Sequence, residues 1–91
     1  MYYRLLYHPD IVKEDLKNIP ANIKTRILKA IETRLQKDPF LFGQPLRQSL
    51  KGHRKLRVGD WRVIYRIEHS NIIILKIGNR KDVYQRVFSR I

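Results

Sequence analysis

Residues 53–66, HRKLRVGDWRVIYR, place His53, Arg54, Lys55, Arg57, Arg62 and Arg66 around one Gly59-Asp60 pair. Guanidinium and ammonium groups at this density clamp oxyanions, above all phosphate, and stabilise negative charge that builds up during a reaction. A Gly-Asp pair permits the positive φ of a primed hairpin turn. With that turn Val58 faces Trp61, Arg57 faces Arg62, Leu56 faces Val63 and Lys55 faces Ile64. Side chains alternate across a strand, so one face collects Leu56, Val58, Trp61, Val63 and Tyr65, with Arg54 at its fraying end. The other collects His53, Lys55, Arg57, Arg62 and Arg66, with Ile64 its only apolar member. Like charges directly opposed cost up to roughly 1 kcal/mol per pair. Stability therefore does not account for the second face, whereas a polyanion lying over it does. Downstream, IGNRKDVYQRV presents Arg80 and Lys81 and returns Tyr84 toward the same sheet edge, and Lys51 precedes the hairpin. A cation and a phenol in that position flank a phosphate and a base.

The elements that must carry these residues follow from hydrophobic period and punctuation. YYRLLY, residues 2–7, reads as a first strand ending at His8-Pro9. Pro9 and Asp10 open a short helix with Ile11, Val12, Asp15, Leu16 and Ile19 on one face, stopped by Pro20. Ile23, Ile27, Leu28, Ile31 and Leu35 recur at helical spacing and predict a second helix that ends before Asp38-Pro39. PFLFGQPLRQSLKG reads as a connecting loop whose Phe40, Leu41, Phe42 and Leu46 tuck against the core. After the hairpin, IIILKIG forms a fourth strand, and Asp82 caps a short terminal helix or tail whose Val83, Val87, Phe88 and Ile91 face inward. The resulting expectation is an α+β fold: two N-terminal helices packed on one face of a small, mainly antiparallel four-stranded sheet, the other face open.

Ninety-one residues with 43% hydrophobic content and no low-complexity run suit one folded domain, residues 1–91. The net charge of +12 calls for acidic partners. Residues 1–46 hold eight Lys/Arg against five Asp/Glu, while residues 47–91 hold twelve against three, so the excess lies in the hairpin half. The absence of cysteine fits a reducing, cytoplasmic setting, and no apolar run approaches a membrane span. Neither a metal site nor a cofactor is expected: histidines and carboxylates do not cluster, and Gly52, Gly59 and Gly78 fall singly at turns without forming a phosphate loop. Asp10, Glu14 and Asp15 read as the polar N-terminal side of the first helix.

The blocks LKGHRKLRVGDWRVIY and IIILKIGNRKDVY, in this order and spacing, resemble the RelE-like branch of the RelE/ParE toxin superfamily over essentially the whole chain. The resemblance implies the toxin of a type II toxin–antitoxin system: a ribosome-dependent, metal-independent endoribonuclease that cuts mRNA in the A site and is silenced by a RelB-like antitoxin through an acidic or amphipathic segment. It also implies the site. Lys55 stands at the family's strand lysine, Arg62 at the arginine after the aromatic, Arg80 at the arginine after the last strand, and Tyr84 at the C-terminal tyrosine. His53, Arg57, Arg66, Lys51 and Lys81 are then RNA-binding cations. Asn79 departs from the histidine many relatives carry before this arginine, and His53 from a second lysine. Cleavage through the substrate's own 2′-hydroxyl needs a proton acceptor, charge stabilisation on phosphorus and a proton for the leaving 5′-oxygen. Lysine serves as acceptor where neighbouring cations disfavour its protonated form. The assignment is Lys55 as base, Arg62 on the scissile phosphate, Arg80 on developing charge and Tyr84 on a base. The rival readings are a gyrase-directed ParE-like toxin without nuclease activity and a non-catalytic RNA-binding module.

Overall fold

The computed structural model describes residues 3–91. Its sheet has five strands in the order β1-β5-β4-β3-β2: β1 Arg4–Tyr7, β2 Gln44–Pro45, β3 Arg54–Val58, β4 Trp61–Glu68 and β5 Asn71–Asn79. Two features differ from the four-strand antiparallel expectation. β1 runs parallel to β5, Leu5 opposite Ile72, and the loop contributes a two-residue edge strand, β2, with Gln44 opposite Lys55. Tyr2, at the start of the expected first strand, lies outside the described residues. No helix among the described residues is long and apolar enough to cross a membrane.

One face of the sheet is covered by the N-terminal helical region, but the first helix is not regular. Ile11–Asp15 forms a π-helical turn followed by a 3₁₀ turn, Leu16–Asn18. The wide turn carries Asp15 inward, where its carboxylate accepts the Ile77 N–H at 2.9 Å. Helix α1, Ala21–Ala30, continues through a second π turn, Ile31–Leu35. Ile27, Ile31 and Leu35 are four apart and drift around a 3.6-residue helix; the wider turn brings all three into the core, each fully buried. They meet Leu56, Val58, Val63, Tyr65, Ile72, Ile74 and Ile77 of the sheet.

The IIILKI run owes its burial to a bulge. Tyr65 pairs with Ile74 but Ile64 pairs with Lys76, leaving Leu75 as an extra residue in β5. The bulge resets the alternation, so Ile72, Ile74 and Ile77 all face the helices while Lys76 faces the opposite side with Ile64.

That opposite face is not left open. Ile64, Val83 and Val87 are fully buried in a second, smaller cluster, edged by Leu46, Leu50 and Tyr84. The segment that supplies it is neither a regular α-helix nor an extended tail. Arg86 is left-handed at φ 61° and Val87–Arg90 is a single 3₁₀ turn. About three residues per 3₁₀ turn align i with i+3, so Val87 and Arg90 share the inward side, whereas Phe88 and Ile91 are exposed.

Phe40, Leu41 and Phe42 are exposed as well, contrary to expectation. Asp38 accepts the Leu41 N–H and Pro39 starts a short helix, α2, Pro39–Phe42, in which Pro39 is buried and the three residues after it are exposed. What anchors it is polar: Tyr65 donates its hydroxyl to the Pro39 carbonyl at 2.6 Å, and Arg54 donates to the carbonyls of Phe40 and Gly43. Gly43 is obligatory here, since a Cβ would lie 1.6 Å from the Tyr65 hydroxyl oxygen.

Candidate functional site

The hairpin forms as its residue types require. Gly59 adopts φ 60°, and Arg57 lies opposite Arg62, Lys55 opposite Ile64 and Val58 opposite Trp61. Across β4 the rows extend into β5: Lys55, Ile64 and Lys76 form one, and Arg57, Arg62 and Gly78 the next. Gly78 leaves room for the C-terminal segment, because a Cβ there would lie 3.3 Å from the Val83 Cα.

Lys55, Arg57 and Arg62 line a cavity of about 170 Å³ together with Gln44 and Phe42. Arg34, from the π turn of the second helix, also lines it; the apolar stripe by which that helix is read in the sequence does not single it out. Arg62 donates to the Gly59 and Trp61 carbonyls at 2.8 and 2.9 Å, which folds its guanidinium back over the turn. Among the described residues neither Lys55, Arg57, Arg62 nor Arg80 is ion-paired with an Asp or Glu. A larger cleft of about 670 Å³ lies along β5, where Glu14, Asp15 and Asp82 stand among five Lys and Arg side chains.

Arg80 is tied to the same turn through its backbone, its N–H donating to the Asp60 carbonyl at 2.8 Å. Asn79 builds this junction: its side-chain oxygen accepts the Lys81 N–H, and its carbonyl accepts from Asp82 and Val83. An amide serves a turn of this kind directly. Tyr84 rests half-buried against the Ile64 cluster, on the Lys55 side of the sheet. The remaining cations are dispersed. Arg66 is paired with Glu68 at 3.0 Å, Lys51 and Lys81 are exposed in turns, and His53 lines a separate cavity with Phe40, Arg54 and His69.

The carboxylates of the first helix have a use that their spacing did not reveal. Asp15, Glu14 and Asp10 converge on the buried Arg90, at 2.7, 2.9 and 3.8 Å. Asp15's hydrogen bond is the main cause of a raised Arg90 pKa, against the opposing effect of burial. Lys76, close by, donates to the Gln85 carbonyl. Burial first, then the charge of Arg90, pushes its ammonium pKa down.

The profile of the family described as ParE toxin of type II toxin-antitoxin system, parDE, matches residues 5–84. The chain is 34% identical over 76 residues to Toxin RelG of Mycobacterium tuberculosis, covering 81% of this chain and 87% of that protein. One chain of the toxin–antitoxin complex RelBE2 from the same organism superposes with a TM-score of 0.81 at 28% identity, over 88% of this chain and 100% of that one. A chain of the RelB-RelE complex of Methanococcus jannaschii gives 0.67 at 27% identity, over 87% and 94%. The protein belongs to the RelE/ParE superfamily of toxins of type II toxin–antitoxin systems.

Proposed function

We propose that this toxin is a ribosome-dependent endoribonuclease that cuts mRNA in the A site and that a RelB-like antitoxin holds inactive. The observation that carries the reading is the cavity shared by Lys55, Arg57 and Arg62, which no carboxylate lines. Such a cavity is made for a phosphate diester in a site where positive charge comes from side chains and no metal need supply it. Lys55 takes the proton of the 2′-hydroxyl. The 2′-oxygen then attacks the adjacent phosphorus, a 2′,3′-cyclic phosphate forms, and the 5′-oxygen leaves and is protonated. Arg62 swings from the turn carbonyls onto the scissile phosphate, Arg80 meets the developing charge, and Tyr84 supports a base from the Ile64 side. Arg57, Arg66, Lys51 and Lys81 contribute positive field along the RNA, and His53 offers its ring as a further RNA contact. Acting as one domain on translating ribosomes, the protein works in the cytoplasm.

Two relatives of known structure are toxin–antitoxin complexes, which supports an antitoxin partner here. A net charge of +12 suits an acidic or amphipathic segment of that partner. The match to a ParE profile favours a second reading, a non-nuclease toxin directed at DNA gyrase; the unpaired cation set argues for RNA.

Primer extension on mRNA translated with and without the purified protein tests the reading. Wild type is expected to cut only in the presence of ribosomes. Lys55→Ala, Arg62→Ala and Arg80→Ala each lower the rate by about 10²- to 10⁴-fold. Full activity in all three ends the proposal, and inhibited supercoiling with intact mRNA establishes the gyrase reading.

A further inference from the structure

We propose that Arg34 binds the RNA strand at a phosphate next to the scissile one, and that Arg26 and Lys29 carry the strand onward around the edge of the sheet. The inference rests on the nuclease reading and extends it to residues outside the hairpin. Its starting point is the shortness of β2, which pairs only with Arg54 and Lys55. Leu56–Val58 of β3 therefore have no strand paired beyond them, although Leu56 and Val58 are buried, and the π turn Ile31–Leu35 sets Arg34 at that edge. Arg34 lines the cavity of Lys55, Arg57 and Arg62 on one side. On the other it lines a second cavity, of about 200 Å³, with Arg26, Lys29, Thr33 and Val58. Arg26 closes the path back to the hairpin, its guanidinium nitrogens lying 3.7 Å from where a Cβ on Gly59 would sit.

Two adjoining cavities thus share one arginine, and neither is lined by an Asp or Glu. Among the described residues Arg26, Lys29 and Arg34 are in no ion pair. A continuous cationic track that keeps its carboxylates elsewhere fits a ligand with regularly spaced anionic groups. The small volumes suit single phosphates held by guanidinium forks, and the exposed Phe42 at the mouth offers a ring face to a base. These features favour an RNA backbone over an acidic protein helix, which needs an apolar groove.

The test measures binding of a single-stranded, fully 2′-O-methylated RNA oligonucleotide, which cannot be cut, across a salt series. Arg34→Gln is expected to reduce the slope of log K against log[salt] by about 0.7 and to weaken binding about fourfold at roughly 0.15 M salt. Arg26→Gln combined with Lys29→Gln reduces the slope by about 1.4. Lys17→Gln, which removes one charge from the other cleft, should overlay wild type. On ribosomes, Arg34→Gln raises KM while kcat holds. Matching thermal melts exclude misfolding, since Arg34 is exposed. An unchanged slope and affinity in Arg34→Gln overturns the inference and leaves the nuclease reading standing. A wild-type protein that binds the oligonucleotide through Arg34 yet never cuts mRNA reverses that outcome. Weakened antitoxin binding with unchanged RNA binding would assign the track to the protein partner and also overturn the inference.

Discussion

Arg90 and Arg62 are the same residue type put to opposite ends. Arg90 has a side chain only 4% exposed, bonds Asp15 through two nitrogens at 2.7 and 3.0 Å, and adds Glu14 and the Leu75 carbonyl. Arg62, among the described residues, bonds the backbone carbonyls of its own turn and shares its cavity with Arg34, Lys55 and Arg57. The chain holds eight carboxylates. Three converge on Arg90 and a fourth pairs with Arg66, so among the described residues Lys55, Arg57 and Arg62 are left without a carboxylate partner although acids exist in the chain. One arginine closes the structure; the other is left requiring an anion from outside. The contrast teaches that a cation's role follows from where the carboxylates go, which counting charges does not reveal.

Three measurements break or sharpen this contrast. The largest effect is expected for Arg90→Ala, which strands the Asp15 carboxylate in the interior and should cost about 3–5 kcal/mol in urea unfolding. Arg62→Ala should leave the same midpoint nearly unchanged, and equal losses in the two variants would erase the distinction. Next comes Arg57→Gln, which relieves the direct Arg57–Arg62 opposition. Stability should rise by up to about 1 kcal/mol while RNA affinity falls, and a loss of stability would show that the pair is not in conflict. The smallest effect concerns pH. Lys76 has a folded pKa below its ordinary 10.5, so between the two values the unfolded chain binds more protons and stability rises with pH. The gain is complete above the unfolded pKa and is lost as pH falls through the folded one. Lys76→Met should flatten this slope relative to wild type, tracked by denaturant melts at increasing alkaline pH, where the buried Tyr65 titrates alike in both proteins.

Much of the hairpin was legible beforehand. Two-residue turn chemistry and strict alternation are local rules, and they specified that Val58 opposes Trp61 and Arg57 opposes Arg62 as found. The apolar stripe Ile27, Ile31 and Leu35 was readable for the same reason. For the terminal segment an Asp82 cap allows a short helix or a tail with Phe88 and Ile91 inward; a left-handed Arg86 and a 3₁₀ turn bring Arg90 inward instead and leave those two exposed. The exposure of Phe40 and Leu41 was also hidden, since the anchors of that loop are Arg54 and Tyr65, distant in sequence and polar in kind.

By itself the sequence determined the basic hairpin, its register and the apolar faces, because turn type and a period of two act between neighbours along the chain. Only the tertiary structure decided that β1 joins β5 in parallel, that Asp15 and Arg90 meet across 75 positions, and that Arg34 comes to the edge beside Lys55. Those choices depend on a bulge, two π turns and the burial of one ion pair. Each is a compromise among distant segments, settled only when they pack against one another.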